Sequence, residues 1–190
     1  MKRSTTGHAT KTPDRFLWAA DVMQLDAAGH LLEIGCGVGL LAEQICRQLS
    51  SGQLIAIDRS ASMIEKAIKR NHRFVESGKV RFIGADFLEA ALPAAAVDTI
   101  VAFNVGFFGK ESPEELEQIR ALLKPSGKLF VFLQAPFEIN LQYAKPFREN
   151  LLRNGFEIIG SQLKKLHPVS ACCIIAQPNA KQLSRRGKPA

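Results

Sequence analysis

Apolar positions along the chain follow two alternating rhythms. Short, nearly continuous apolar runs predict buried strands at His30–Ile34 (HLLEI), Leu54–Asp58 (LIAID), Val80–Ile83 (VRFI), Val97–Phe103 (VDTIVAF) and Leu129–Leu133. Between them, apolar residues recur at helical spacing: Phe16, Ala20 and Met23; Leu41, Ile45 and Leu49; Ile64, Ala67 and Ile68; Leu116, Ile119 and Leu123. Local signals set the ends. Thr12-Pro13 predicts a helix start and Gly29 its end, with the helix running to about Asp26. Ser50-Ser51-Gly52 breaks the chain, Ser60 is placed to cap the next helix, and Gly78 closes it. Ser112-Pro113 begins a helix with Glu114 and Glu115 in its first turn, where the dipole favours acids. Lys124-Pro125-Ser126-Gly127 reads as a turn. A last helix near Gln142–Arg153 ends at Asn154-Gly155, and Phe156–Leu163 and Ala171–Gln177 are the final two strands.

Strands alternating with helices imply βαβ units and a parallel sheet covered on both faces. The final two strands have no helix between them and too short a link for a crossover, so they form an antiparallel hairpin. The expected fold class is therefore α/β, with ligands bound beyond the carboxyl ends of the strands. The expected organisation is an N-terminal arm and lid helix (1–29), one folded domain (30–177) and a basic, disordered tail (178–190).

Composition changes this picture little. With 190 residues, 46% hydrophobic and 23% charged, the chain suits one globular domain and excludes disordered, disulfide-stapled and membrane-spanning classes. The net charge of +7 is uneven. Lys2, Arg3, Lys11 and Arg15 against Asp14 lie in the first fifteen residues, and Lys181, Arg185, Arg186 and Lys188 lie at the end. These tails carry the whole excess, so the pI does not by itself point to nucleic acid. One internal cluster remains, Arg59, Lys66, Lys69, Arg70, Arg73, Lys79 and Arg81, which reads either as a solvated helix face or as a polyanion site. Cys36, Cys46, Cys172 and Cys173 lack metal-site spacing and read as reduced core residues, and no metal is expected. No apolar stretch follows the basic start, so a cytoplasmic location is expected.

Chemistry concentrates after the strands. Gly35-Cys36-Gly37-Val38-Gly39 follows the first, and its glycines let the backbone approach a ligand. Asp58 ends the second, where an acid accepts hydrogen bonds from ribose hydroxyls. Asp86-Phe87 follows the third and suits an adenine, the carboxylate taking the exocyclic amine and the ring supplying a flat wall. The glycines run G-x-G-x-G with Leu40 next, one residue out of register with the dinucleotide fingerprint, which disfavours an NAD-dependent oxidoreductase.

LLEIGCGVG, AIDRS, GADF, VDTIVAFN and LLKPSGKLFVF together resemble the successive motifs of the class I S-adenosylmethionine-dependent methyltransferases over roughly residues 30–177. The resemblance implies a Rossmann-like three-layer sandwich whose seven-stranded, mostly parallel sheet has order 3-2-1-4-5-7-6, with strand seven antiparallel. It implies S-adenosyl-L-methionine as cofactor and S-adenosyl-L-homocysteine as product. Gly35, Cys36, Gly37 and Gly39 would line the methionine and ribose portion, and Glu33 would serve the methionine amino group. Asp58 would bind the ribose hydroxyls, Arg59 and Met63 would pack near the adenine, Asp86 with Phe87 would bind the base, and Asn104 would sit near the transferred methyl.

The expected activity is methyl transfer to a small-molecule acceptor. His167, in the turn after strand six, is the candidate base or else a plain loop residue, and His8 and His30 have weaker claims. Tyr143 either orients substrate or packs in the core. Phe103, Phe107, Phe108 and Phe137 either wall an apolar acceptor pocket or close the core. No prolines follow Asn104, which disfavours methylation of a nucleobase amine. A non-catalytic cofactor-binding scaffold subunit and an RNA methyltransferase using the basic tails remain the alternatives. Oligomeric state is left open.

Overall fold

The computed structural model describes residues 12–179. His8, most of the N-terminal arm and residues 180–190 of the basic tail lie outside them. Seven strands form one sheet: β1 (His30–Ile34), β2 (Gln53–Asp58), β3 (Val80–Gly84), β4 (Val97–Phe103), β5 (Leu123–Leu133), β6 (Phe156–Lys164) and β7 (Ala171–Pro178). Their order is β3-β2-β1-β4-β5-β7-β6. Pairs from β3 to β5 are parallel, and β7 runs antiparallel to both its neighbours. This is the expected Rossmann-like α/β arrangement, and it puts the ends of β1–β6 at one edge.

Six helices cover the faces: α1 (Asp14–Met23), α2 (Leu40–Gln48), α3 (Ala61–Arg70), α4 (His72–Glu76), α5 (Pro113–Leu122) and α6 (Lys145–Arg153). Strand alternation divides the core in two. Leu31, Leu54, Ala56, Val101, Phe130 and Phe132 pack under α1, α2 and α3. Leu32, Ile34, Ile100, Leu129, Val131 and Ile174 pack under α5 and α6. The helix expected as a lid is built into the first of these cores. Ala19, Ala20 and Met23 are buried, and Trp18 meets Phe132 edge-on at 5.3 Å.

Several local expectations are corrected. β5 begins at Leu123, which was expected to close the preceding helical stripe, and the Lys124–Gly127 turn is a bulge inside the strand where pairing with β4 shifts register. Ser60 makes no side-chain cap; its backbone amide instead donates to Asp58 Oδ1 at 2.9 Å. Thr12 does not cap α1 either: the N-cap position is Pro13, and the Thr12 hydroxyl instead accepts from Gln44 Nε2. The helix after Ser60 is broken at Asn71, whose buried amide donates to Gly39 O and Ala67 O at 3.0 Å each. α6 starts at Lys145 after a 3₁₀ turn, Leu141–Ala144. Pro178 belongs to β7 rather than to the tail, pairing with Phe156.

The four phenylalanines do not form one wall. Phe103 stacks on Phe132 on the α1 side, Phe108 is fully buried on the other, Phe107 stacks with Phe87, and Phe137 is 57% exposed beside Tyr143. They belong to different packing groups because β4 separates their two faces. The basic cluster is also partly engaged. Arg70 Nε donates to Val38 O, Lys79 Nζ to Leu49 O, and Arg73 lies over Phe74. Arg81 precedes Phe82 on the alternating β3, which puts it on the opposite face from the α3 contacts. No helix among the described residues is long and apolar enough to cross a membrane.

Candidate active site

The loop after β1 is bent back over the end of β2. Gly35 N and Cys36 N both donate to Ile57 O, at 2.8 and 3.0 Å. Gly37 and Gly39 have positive φ values of 52° and 73°, a region that L side chains enter only at a cost. Their surroundings differ. A Cβ at Gly37 would meet nothing within 4 Å, whereas one at Gly39 would lie 2.5 Å from Asn71 Nδ2 and 3.0 Å from Ala67 Cβ. Gly39 is thus required by the seating of α2 against α3, and Gly37 leaves open space above the loop.

Asp58 holds that loop in place. Its Oδ2 accepts from Gly37 N at 2.8 Å and its Oδ1 from Ser60 N at 2.9 Å. Each carboxylate oxygen retains a further lone pair. At the end of β3, exposed Asp86 accepts from Leu88 N through Oδ1, which fixes the turn; among the described residues its Oδ2 makes no hydrogen bond. Phe87 is 6% exposed and stacks on Phe107 with centroids 6.1 Å apart and planes 13° apart. Asn104 follows β4 with φ 56°, and its carboxamide pairs with the main chain of Gln134.

These elements enclose a cavity of about 550 Å³ at the carboxyl edge of the sheet. Of the residues singled out from the sequence, Gly35, Asp58, Arg59, Asp86, Phe87 and Asn104 line it, and of the four phenylalanines Phe107 does. Cys36, Gly37, Gly39, Glu33 and Met63 do not. Cys36 is buried, and burial pushes its thiol far above the ordinary range, with Glu33 and Asp58 adding to the effect. His167 lines a separate groove between the β6–β7 turn and α1, with Trp18, Lys164 and Lys165. His30 is at the opposite edge of the sheet, where its backbone amide donates to Asp98. Val105, Gly106, Lys110 and Glu115 also line the cavity and were not anticipated. Gly106 and Gly109, flanking two phenylalanines, were the available signal for the 3₁₀ turn that brings them there.

Glu33 is the strongest electrostatic anomaly. It is 3% exposed, its Oε2 has no hydrogen-bond partner, and burial followed by the charge of Asp58 raises its pKa to about 8. A buried carboxyl with an orphaned oxygen suits an incoming ammonium group. With the open space above Gly37, the free lone pairs of Asp58 and the Asp86–Phe87 corner, the residues present fit S-adenosylmethionine. They offer places for its amino-acid end, ribose and base.

The methyltransferase domain family model matches residues 31–127. An uncharacterized methyltransferase of Bacillus subtilis, YdaC, is 27% identical over 169 residues, covering 86% of this chain and 91% of that protein. Among solved structures, a 4+2 cyclase, SpnF, superposes with TM-score 0.71 at 18% identity, covering 87% of this chain and 81% of that one. Magnesium protoporphyrin IX methyltransferase of Synechocystis, solved with S-adenosylmethionine bound, superposes with TM-score 0.64 at 16% identity, covering 87% and 77%. At such identities the structural likenesses speak for the fold alone.

Proposed function

The chain belongs to the methyltransferase domain family and takes S-adenosylmethionine as its cofactor, and from that premise we propose that it methylates a small-molecule acceptor. The observation that carries this reading is the cavity at the carboxyl edge, where Asp58, Asp86 and Asn104 converge from three strands. When bound, the cofactor supplies a sulfonium methyl, whose S–C bond breaks as the bond to the acceptor forms, leaving S-adenosylhomocysteine. The chain's own residues bind, orient and exclude water.

In this reading Asp58 accepts the ribose hydroxyls while keeping Gly37 in place. Asp86 takes the adenine amine beside Phe87, with Arg59 at the rim. Glu33 receives the amino group of the methionine portion. Gly35, Cys36 and Gly37 supply the close backbone, and Gly39 acts behind them through packing. Met63, half-buried on α3, lies outside the cavity lining and in this reading packs near the adenine. Asn104 acts mainly by fixing the end of β4, since both polar atoms of its side chain are engaged. His167 lines the groove beside α1 rather than the cofactor cavity, so in this reading it takes a proton from an acceptor that extends into that groove, as an imidazole can from a nucleophile that is neutral at pH 7. His167→Ala should slow turnover of such acceptors with cofactor affinity unchanged; full activity removes it as a base.

The deciding experiment is calorimetric titration with S-adenosylmethionine and, separately, with NAD. Micromolar binding of the first alone is expected. Binding of NAD, or of neither ligand to folded protein, overturns the assignment of this cavity.

A further inference from the structure

Three segments meet at Gln134, the residue that follows β5. Its main chain pairs with Asn104, its Nε2 donates to Val169 O in the β6–β7 turn at 2.9 Å, and its Oε1 accepts from Arg15 Nη1 of α1 at 3.4 Å. Gln134 therefore ties Asn104, which lines the cofactor cavity, to α1 and to the β6–β7 turn, whose residues line the neighbouring groove. That groove, about 530 Å³, is lined by Lys164, Lys165 and His167 but also by Asp14 and Asp21.

Arg15 is the unusual group at this junction. It is half-buried, and among the described residues it makes no salt bridge, although Asp14 precedes it on the same helix. Its guanidinium lies over the Phe16 ring, 4.7 Å from the centroid, and 5.9 Å from that of Phe103. A cation over an aromatic ring is held without using up its N–H donors, and its one bond to Gln134 is long at 3.4 Å. A positioned, unpaired guanidinium two links from Asn104 is a receptor for an anion.

We propose that the methyl acceptor carries a carboxylate and that Arg15 holds it beside Gln134; this rests on the methyltransferase reading above. A planar carboxylate matches the guanidinium fork. Arg15 is a binding residue in this scheme, and its neighbours Phe16 and Phe103 orient it.

The test uses the full chain with saturating S-adenosylmethionine and a panel of hydroxy, amino and thiol carboxylic acids, each beside its neutral primary amide. S-Adenosylhomocysteine formation is the readout, and cofactor affinity is measured separately by calorimetry. Turnover is expected for acids over their amides. Arg15→Gln should raise KM for the acids by roughly 10- to 100-fold, as expected for a lost charge-assisted hydrogen bond, with cofactor affinity unchanged and partial recovery in Arg15→Lys. Amides that react as well as their acids, an unchanged KM in Arg15→Gln, or no turnover of any acid by cofactor-bound protein overturns the proposal. Failure of the wild-type chain to bind the cofactor would instead overturn the reading on which it rests.

Discussion

The Asn104 carboxamide closes both of its hydrogen bonds on the main chain of Gln134, donating Nδ2 to the carbonyl at 2.9 Å and accepting the amide at 2.8 Å. β4 and β5 are paired up to Phe103 and Phe132, so the side chain continues the ladder after the backbone has turned away. Asn is suited to this place because it tolerates the φ of 56° that the turn requires. Asn104→Gly keeps that backbone freedom and loses both bonds, so it should destabilise the protein by about 1 kcal/mol. Asn104→Ala adds the left-handed cost and should lose about 2 kcal/mol in total. Thermal melts of the two variants check this; equal stability with wild type would refute the pairing.

The glycines of the loop should separate by the space around them. Gly39→Ala drives a Cβ into Asn71 and Ala67 as well as straining φ, and should cost roughly 2–4 kcal/mol. Gly37→Ala strains φ alone and should cost about 1–2 kcal/mol, yet it fills the open side of the loop and should weaken S-adenosylmethionine binding more than Gly39→Ala does. Melting temperature and calorimetric affinity, measured on both, give the comparison. The reverse ranking in either column defeats the assignment.

The sheet was legible because its signals are local. Four-to-seven-residue apolar runs and short links fixed strands such as Val97–Phe103 to the residue, and the hairpin argument placed β7 antiparallel. What escaped depends on contacts distant in sequence. Nothing around Asn71 announces that its amide will reach back to Gly39, 32 residues away, and break a helix there. Nothing around Gln134 marks it as the meeting point of α1 and the β6–β7 turn. Likewise, their position after strands four and five placed the phenylalanines near the site, but only the sheet's two faces could divide Phe103 from Phe107.

Asp58 has two duties, and mutation should expose both. Asp58→Ala removes the acceptors for Gly37 N and Ser60 N as well as the proposed ribose contact. Cofactor affinity should fall by roughly 1–3 kcal/mol. Asp58→Asn keeps one acceptor oxygen and should retain more of the folded stability than Ala while still losing affinity. Paired calorimetry and melting curves read the two effects; unchanged affinity in both variants would remove Asp58 from the site.

Glu33 gives a pH signature with a determined sign. Its folded pKa is raised from 4.5 to about 8, chiefly by burial and then by Asp58. The neutral form is therefore favoured by folding. Its contribution to stability is complete below the unfolded pKa and is lost as pH rises through the folded value. Glu33→Gln cannot ionise, so without cofactor it should show a flatter fall in melting temperature between about pH 5 and 8 than wild type. Binding should couple to the same proton. An ammonium placed beside Glu33 favours the carboxylate, so at pH 6 to about 7.5, where an α-amino group is still largely charged, binding should release a proton and affinity should rise with pH. Calorimetry near pH 6.5 in two buffers of different ionisation enthalpy measures that proton directly. Wild type should release close to one proton, whereas Glu33→Gln should release none and bind more weakly. Equal proton release in the two would place the titrating group elsewhere and withdraw the amino-group contact from Glu33.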